Sequence, residues 1–216
     1  MTTKARIPLF PLGLVLLPHL PLPLHIFEER YKLMISECLN ENKAFGVVYF
    51  NGSEVQQIGC TAVILNVLKR YGDGRLDILT RGESRFMIME MFDEKAYLEA
   101  MVRFLDDELE EENNVCKELA NQGVNLLKQF ATIAMEQQEY VFAEQMDIKS
   151  ISFLISGCEG FSYEEKQQFL EMMSTRERLK KSVAALKRTI QRFKITEEIH
   201  QIIGGNGNIR RLLKGS

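Results

Sequence analysis

Residues 7–27 read IPLFPLGLVLLPHLPLPLHIF, an apolar stretch that contains all five prolines of the 216-residue chain. Its longest proline-free run, Leu12–Leu17, is shorter than the ~7–15 residues of a secretory signal core and far shorter than the ~20 residues that span a bilayer. A proline inside a helix also costs roughly 3 kcal/mol. We therefore expect a folded cytoplasmic protein in which Ile7–Phe10 and Leu14–Leu17 are short extended segments joined by proline bends.

One helix and several strands are expected next. Residues 28–40 carry apolar side chains at three- and four-residue steps, which is typical of an amphipathic helix. Strands separated by turn residues follow at Ala44–Phe50, Ile58–Lys69, Leu76–Thr80, Arg85–Phe92 and Tyr97–Leu105. Together with the early segments this makes six or seven short strands, a number that favours a compact, closed or nearly closed sheet.

The second half of the chain is expected to be helical. The acidic run at residues 106–112 marks a boundary between lobes, and Asp147, Ser162 and Ser174 are placed to cap later helices. The last helix carries a heptad-like apolar stripe that ends at Phe193, and the glycine-rich residues 204–208 are predicted to stop it. The expected organisation is a β-rich lobe at 1–110, a helical lobe at 111–204 and a mobile tail at 205–216.

Composition narrows the class of protein. A hydrophobic content of 45% and a charged content of 26% are those of a globular protein, and a net charge of −3 gives no overall attraction to nucleic acid or anionic membranes. The four cysteines include no CxxC pair, which predicts reduced, buried thiols. The three histidines lack the spacing of metal ligands, so no metal site is expected.

Motifs for catalysis are missing from the sequence. The glycine cluster at 204–208 lacks the Lys-Ser/Thr of a phosphate loop and follows a predicted helix, whereas such a loop follows a strand. Around Ser84, the sequence GESRF has Phe86 at the position where a nucleophile elbow requires glycine. We expect a protein that is not an enzyme and that binds no cofactor.

A series of short motifs carries a family resemblance. In order they are IPLFPL at 7–12, VLLP at 15–18, PLHIFEERY at 23–31, FGVV at 45–48, IGCTA at 58–62, DILTRG at 77–82, RF at 85–86 and YLEA at 97–100. Singly these motifs are weak, but in this order they resemble the N-terminal, substrate-binding domain family of Lon protease. The resemblance covers residues 7–112 well and the helical part less specifically.

The resemblance implies an α+β fold, with a PUA-like mixed-sheet pseudo-barrel lobe followed by a C-terminal helical bundle with a long last helix. It also implies recognition of unfolded polypeptide or of a partner protein, including a separate ATPase or protease. Full Lon proteases continue into an ATPase module and a Ser–Lys peptidase domain, whose motifs this sequence lacks. We therefore expect a non-catalytic, stand-alone binding module linked to protein quality control.

The candidate partner-binding residues are Phe27, Glu28, Arg30, Tyr31 and Arg85. Aromatic side chains such as Phe10, Phe27, Tyr31 and Phe86 favour core positions over contact positions, and a structural ion pair would explain the charged candidates equally well. If a groove exists, we expect it where the loop 18–27 meets the strand around Arg85 and the first helix of the bundle.

The alternative function is RNA or DNA binding through the last helix. Residues 176–194 hold eight basic residues and one acid, and the candidate basic face consists of Arg178, Lys181, Lys187, Arg188 and Arg192. A solvated helix face is the favoured interpretation, because Phe193 lies on the apolar stripe and is expected to be core. An acidic protein partner, a small-molecule ligand of the sheet lobe and the oligomeric state all remain open.

Overall fold

The computed structural model describes residues 4–109, 114–134 and 145–212. The strands are β1 (Lys4–Leu12), β2 (Pro21–Ile26), β3 (Phe45–Tyr49), β4 (Ile58–Arg70), β5 (Leu76–Phe92) and β6 (Glu99–Leu105). The helices are α1 (Glu29–Glu41), α2 (Asn114–Ala134), α3 (Ile148–Ser156), α4 (Tyr163–Glu171) and α5 (Thr175–Leu212). The expected mixed α+β fold is confirmed.

The six strands form one mixed sheet that closes on itself. Their order is β2-β5-β4-β3-β1-β6. Because β5 also pairs with β6, a closed barrel is formed by β1, β3, β4, β5 and β6. The β1–β3 pair is parallel and the other pairs are antiparallel. Closure is possible because β5 is 17 residues long: its first part pairs with β2 and its second part pairs with β6.

Two expectations for the strands are wrong. Leu14–Leu17 is not a strand, whereas Pro21–Ile26 forms β2. Prolines fit there because β2 pairs only with β5, and an edge strand has a free side where a missing N–H costs nothing. Leu76–Thr80 and Arg85–Phe92, expected as two strands, are parts of the single strand β5. Gly82 lies between them, where a Cβ would be 2.2 Å from the Leu17 carbonyl oxygen, so glycine allows the two backbones to approach closely.

The barrel buries a different cluster on each of its faces. Its interior holds Ile7, Leu9, Val48, Phe86, Ala100 and Val102. A larger cluster on the outer face packs α1 against the strands and also includes Phe153 of α3 and Leu170 of α4. The helical lobe therefore contributes side chains to the outer core of the barrel.

The helical lobe has its own core, built by α2, α3, α4 and α5 around Leu127, Phe130, Leu179 and Leu186. The predicted caps are confirmed at α3, where Asp147 accepts from the Ser150 backbone N–H, and at α4, where Ser162 and Glu165 form a capping box. The predicted stop at 204–208 is wrong, because α5 continues to Leu212. Glycine disfavours a helix by about 1 kcal/mol per residue but does not forbid it.

The predicted tail at 205–216 is thus helical up to residue 212. Residues 213–216, and the lobe boundary that was expected at residue 110, lie outside the described part of the chain. Among the described helices, none has both the length and the apolar character needed to cross a membrane.

Candidate functional site

A buried carboxylate holds the two lobes together. Asp107, just after β6, forms ion pairs with Arg85 of β5 and Arg178 of α5, and the side chains of all three are at most 6% exposed. Burial lowers the pKa of Arg85, and the negative charge of Asp107 opposes that shift. The three residues form an inter-lobe clamp in which each charge faces an opposite one.

Backbone carbonyls and an aromatic ring complete this clamp. Arg85 donates to the carbonyl oxygens of Leu170 and Met172 at 2.8 and 2.6 Å. Both guanidinium groups lie over the Phe153 ring, with centroid distances of 5.4 Å for Arg85 and 3.8 Å for Arg178. A cation over an aromatic face is attracted by the ring quadrupole, so α3 is fixed to the clamp as well.

An open space of about 420 Å³ lies beside the clamp, and we call it the inter-lobe cleft. The loop before β2, strand β5, the end of β6 and helix α3 each contribute to its walls. Its lining includes Pro18, His19, Ser84, Arg85, Phe104, Lys149 and Phe153. This is where the loop 18–27 meets the strand around Arg85, except that the helix present is α3, the second of the helical lobe.

Two backbone hydrogen bonds join the loop before β2 to β5 at the rim of the inter-lobe cleft. His19 donates its N–H to the Gly82 carbonyl at 2.8 Å, and the Gly82 N–H donates to Leu20 at 2.9 Å. His19 adopts a left-handed backbone with φ of 68°, which few non-glycine residues do. Its imidazole is exposed at the rim, yet partial burial lowers the pKa of His19 below its ordinary value.

Charged side chains on the cleft rim also form an ion pair. Lys149 of α3 is ion-paired with Asp106, and the loss of solvent around Asp106 is outweighed by this contact, so the pKa of Asp106 is lowered. Together with the inter-lobe clamp, this leaves a cleft of polar and aromatic surface whose charges largely offset each other.

The five candidate partner-binding residues fall in two places. Glu28 and Arg30 are ion-paired at 2.7 Å beside the start of α1, and Arg30 lies over the Tyr31 ring at 4.6 Å. Tyr31 itself is buried, with its ring 4.0 Å from that of Phe10. Arg85 belongs to the inter-lobe clamp and is not open to a partner.

The expected core positions are confirmed for Phe10, Tyr31 and Phe86, which are all buried. The expectation is wrong for Phe27, which is 59% exposed and stacks on the His25 ring at 5.9 Å. Phe27 follows the end of β2, where alternation along the edge strand turns its side chain away from the core.

The candidate basic face is reduced by one residue. Lys181, Lys187, Arg188 and Arg192 are exposed, but Arg178 is fully buried in the inter-lobe clamp. Helical spacing alone does not distinguish the buried Arg178 from the exposed basic residues, because Asp107, with which Arg178 pairs, lies 71 residues away. Phe193 is 39% exposed and packs edge-on against Phe130 at 5.2 Å, so it is only partly core.

Sequence reasoning missed Asp107 and Phe153. Asp107 stands in a run of acids that is typical of a solvated turn, and its partner Arg85 lies 22 residues away. Phe153 lies between Ser152 and Leu154 in α3, and nothing in this local pattern marks its ring as a contact for two distant arginines. The signal that was available is the position of Arg85 in a predicted strand, since a charge that becomes buried in a sheet requires a partner.

The cysteine thiols are buried and two of them have raised pKa values. All four cysteines are buried, and burial raises the pKa of Cys38 to about 11 and that of Cys60 to about 12. These two thiols therefore stay protonated at neutral pH. Across the described ranges, His, Cys, Asp and Glu side chains form no group of three or more that could hold a metal ion.

Comparison with known families gives a match over most of the chain. The family model described as the ATP-dependent protease La (LON) substrate-binding domain matches residues 6–188. Among known sequences, the chain is 26% identical over 214 residues to Lon protease 2 of Myxococcus xanthus and 23% identical over 204 residues to Lon protease of Dictyoglomus thermophilum. These matches cover 92% and 89% of this chain but only 25% and 26% of the relatives, respectively.

Solved structures show the same fold. The Lon N-terminal domain protein of Xanthomonas campestris matches with a TM-score of 0.66 and 21% identity, covering 83% of this chain and 98% of that one. The N-terminal domain of Mycobacterium avium complex Lon protease matches with a TM-score of 0.67 and 18% identity, covering 85% and 98%. At these identities the likeness establishes the architecture.

Proposed function

Because the chain belongs to the family of ATP-dependent protease La (LON) substrate-binding domains, we propose that it binds unfolded polypeptide without catalysing a reaction. The single observation that carries the proposal is the inter-lobe cleft, an open space of about 420 Å³ lined by polar groups and by the half-buried ring of Phe104. Aromatic walls bind apolar side chains of many kinds. The chain spans about a quarter of the length of its relatives, so proteolysis is not part of the proposal.

Strand addition at a sheet edge is a less suitable mode of binding. The free side of β2 has Pro21 and Pro23, which offer no N–H. In β4 the pairing register with β5 shifts at Leu65 and Leu68, which interrupts a regular edge. A polypeptide is therefore expected to bind through its side chains in the inter-lobe cleft, and with modest affinity unless several copies act together.

Blocking the inter-lobe cleft tests this proposal. Lys149→Trp places a large ring at the rim, since the Lys149 side chain is 43% exposed there, and about a tenfold loss of affinity for a fluorescently labelled, permanently unfolded protein is expected. Lys180→Trp is the matched control, because Lys180 is exposed on α5 and does not line the cleft. Affinities are measured by fluorescence anisotropy. Equal affinities of the two variants would show that the unfolded protein does not bind in the inter-lobe cleft. If the unsubstituted chain shows no saturable binding, the proposal that it binds unfolded polypeptide is wrong.

We further propose that the module works beside a separate ATP-dependent protease in protein quality control. The family membership supports this role. The isolated chain is then expected to hydrolyse no ATP, while a protease that it assists degrades the same unfolded protein faster in its presence. ATP turnover by the isolated chain would contradict the non-catalytic role.

Nucleic-acid binding is the competing function, and the exposed residues Lys181, Lys187, Arg188 and Arg192 are its basis. Phosphate contacts by these side chains would make binding fall steeply with salt. We expect filter binding of RNA at two salt concentrations to show no specific retention. A steep salt dependence that is lost when Lys187 and Arg188 are both replaced by glutamate would instead support this function.

A further inference from the structure

A second cavity opens at one end of the barrel, and we call it the barrel mouth. It has a volume of about 540 Å³, within the ~300–1,000 Å³ that is usual for ligand pockets. The residues that decide its character are Ala5, Ile7, Ala44, Thr61, Ser84 and Phe104. These residues lie in or directly next to β1, β3, β4, β5 and β6, so the cavity is an extension of the barrel interior.

The barrel mouth exists because its inward-facing residues are small. By the alternation of strand residues, Thr61 and Ser84 face inward with Gly59 and Phe86. Deeper in the barrel, Phe86 fills the space so completely that a Cβ on Gly59 would lie 2.7 Å from its ring. Alanine, threonine and serine at the open end leave the corresponding space empty.

A register shift widens the opening. Cys60 pairs with Arg85 and Ala62 pairs with Gly82, so Glu83 and Ser84 both stand opposite Thr61. The Thr61 hydroxyl donates to the Ser84 carbonyl oxygen at 3.2 Å and accepts from the Ser84 N–H at 3.0 Å. Bulges of this kind bend a strand at barrel rims and re-aim its side chains.

The wall that remains is mainly apolar. The Thr61 hydroxyl is already bonded to Ser84, and the Arg6 guanidinium is held by Glu94 and Glu99 over the Phe92 ring. Ile7 and Phe104 provide the larger apolar surfaces. Lys43, which also lines the cavity, is ion-paired with Glu41, and the lining residue Glu83 is exposed to solvent. An apolar occupant therefore gains contact area with Ile7 and Phe104 and loses little solvation.

The barrel mouth adjoins the inter-lobe cleft, because the two share lining residues. Both are lined by Glu83, Ser84 and Phe104. A chain that lies in the polar inter-lobe cleft can thus direct one side chain across Ser84 and Phe104 into the apolar barrel mouth. We propose that the barrel mouth is a subsite for one large apolar side chain, of leucine or phenylalanine size, of the bound polypeptide; this inference rests on the proposed function.

The test uses labelled decapeptides that are identical except for a central Gly, Glu, Leu or Phe. The unsubstituted chain is expected to bind the Leu and Phe peptides at least about tenfold more tightly than the Gly peptide, because a buried apolar side chain contributes that much. Ala5→Leu and Ala44→Leu each fill the barrel mouth and are expected to abolish the preference. Ala184→Leu, at an exposed position of α5, is the matched control and is expected to keep it.

Several outcomes separate the inference from the function beneath it. Equal binding of all four peptides, or an unchanged preference in both filled variants, overturns the subsite and leaves polypeptide binding intact. If none of the peptides binds and the unfolded protein does not bind either, both the subsite and the proposed polypeptide binding are wrong. Methyl NMR of the unsubstituted chain adds a readout that needs no variant: the Ile7 signal is expected to shift with the Leu peptide and not with the Gly peptide, and a bound Leu peptide without that shift contradicts the subsite.

Discussion

The guanidinium carbon of Arg178 lies 3.8 Å from the centroid of the Phe153 ring. Arg178 is fully buried, and it shares the single carboxylate of Asp107 with Arg85. A helix of the C-terminal lobe, a strand of the barrel and the segment that connects the lobes thus meet at one carboxylate. This arrangement fixes one wall of the inter-lobe cleft, since Arg85 and Phe153 line it.

Asp107→Asn tests the inter-lobe clamp. The substitution leaves Arg85 and Arg178 buried without an opposite charge, and breaking a buried ion pair in this way costs about 3–5 kcal/mol. Asp106→Asn is the matched control, because the Asp106 side chain is 83% exposed and a surface pair contributes at most about 1 kcal/mol. The measurement is the free energy of unfolding from urea titration; similar losses in the two variants would show that the inter-lobe clamp is not what stabilises the junction.

Gly82→Ala tests the contact between β5 and the loop before β2. The new Cβ would lie 2.2 Å from the Leu17 carbonyl oxygen, so the backbone must shift at a cost of about 1–3 kcal/mol or more. In Gly72→Ala the Cβ meets nothing within 4 Å, and a neutral or slightly stabilising effect is expected because the unfolded chain loses freedom. Thermal unfolding followed by circular dichroism compares them, and equal midpoints would contradict the contact.

Thr61→Val tests the register shift at the barrel mouth. Valine keeps the shape but removes the hydroxyl that bonds both backbone groups of Ser84, and a buried donor without a partner costs about 1–3 kcal/mol. Thr132→Val on exposed α2 surface removes only a hydroxyl bond to the Lys128 carbonyl, so less than about 0.5 kcal/mol is expected. Urea titration gives both values, and a stable Thr61→Val variant would mean that the bulge does not depend on this side chain.

His19 gives the stability a defined pH dependence. The pKa of His19 is lowered mainly by burial; Asp147 and Glu83 oppose this shift, whereas Arg81 and Lys149 add to it. The unfolded chain therefore binds a proton at higher pH than the folded chain does, so His19 lowers stability as pH falls through about 6.5 and below. The effect is complete once pH is below the folded-state pKa.

His19→Asn isolates this contribution, because asparagine accepts the left-handed backbone that His19 adopts. The loss of unfolding free energy between pH 7.5 and pH 5.5 is expected to be smaller in the variant than in the unsubstituted chain, while the carboxylates contribute equally to both. An identical loss in the two proteins would show that His19 does not titrate differently on folding.

The sequence by itself determined the order and type of most elements. Apolar patterns and turn residues located α1, β3 and β4, and the capping residues Asp147 and Ser162 located α3 and α4, because these signals depend on neighbours a few positions away. The motif order also pointed to the family. The opening segment was correctly placed in a folded lobe, although its second strand is Pro21–Ile26 and not Leu14–Leu17.

Only the tertiary structure decided which side chains share a site. Arg85 and Arg178 resemble surface cations in the sequence, yet both meet Asp107, which is 22 residues from one and 71 from the other. Phe27 resembles a core aromatic, yet it is exposed because β2 ends on an open edge. The barrel mouth depends on strand closure, which brings Ala5, Thr61 and Phe104 to one opening. Local patterns carry no information on such distant pairings, since each pairing is fixed by the register of the whole sheet.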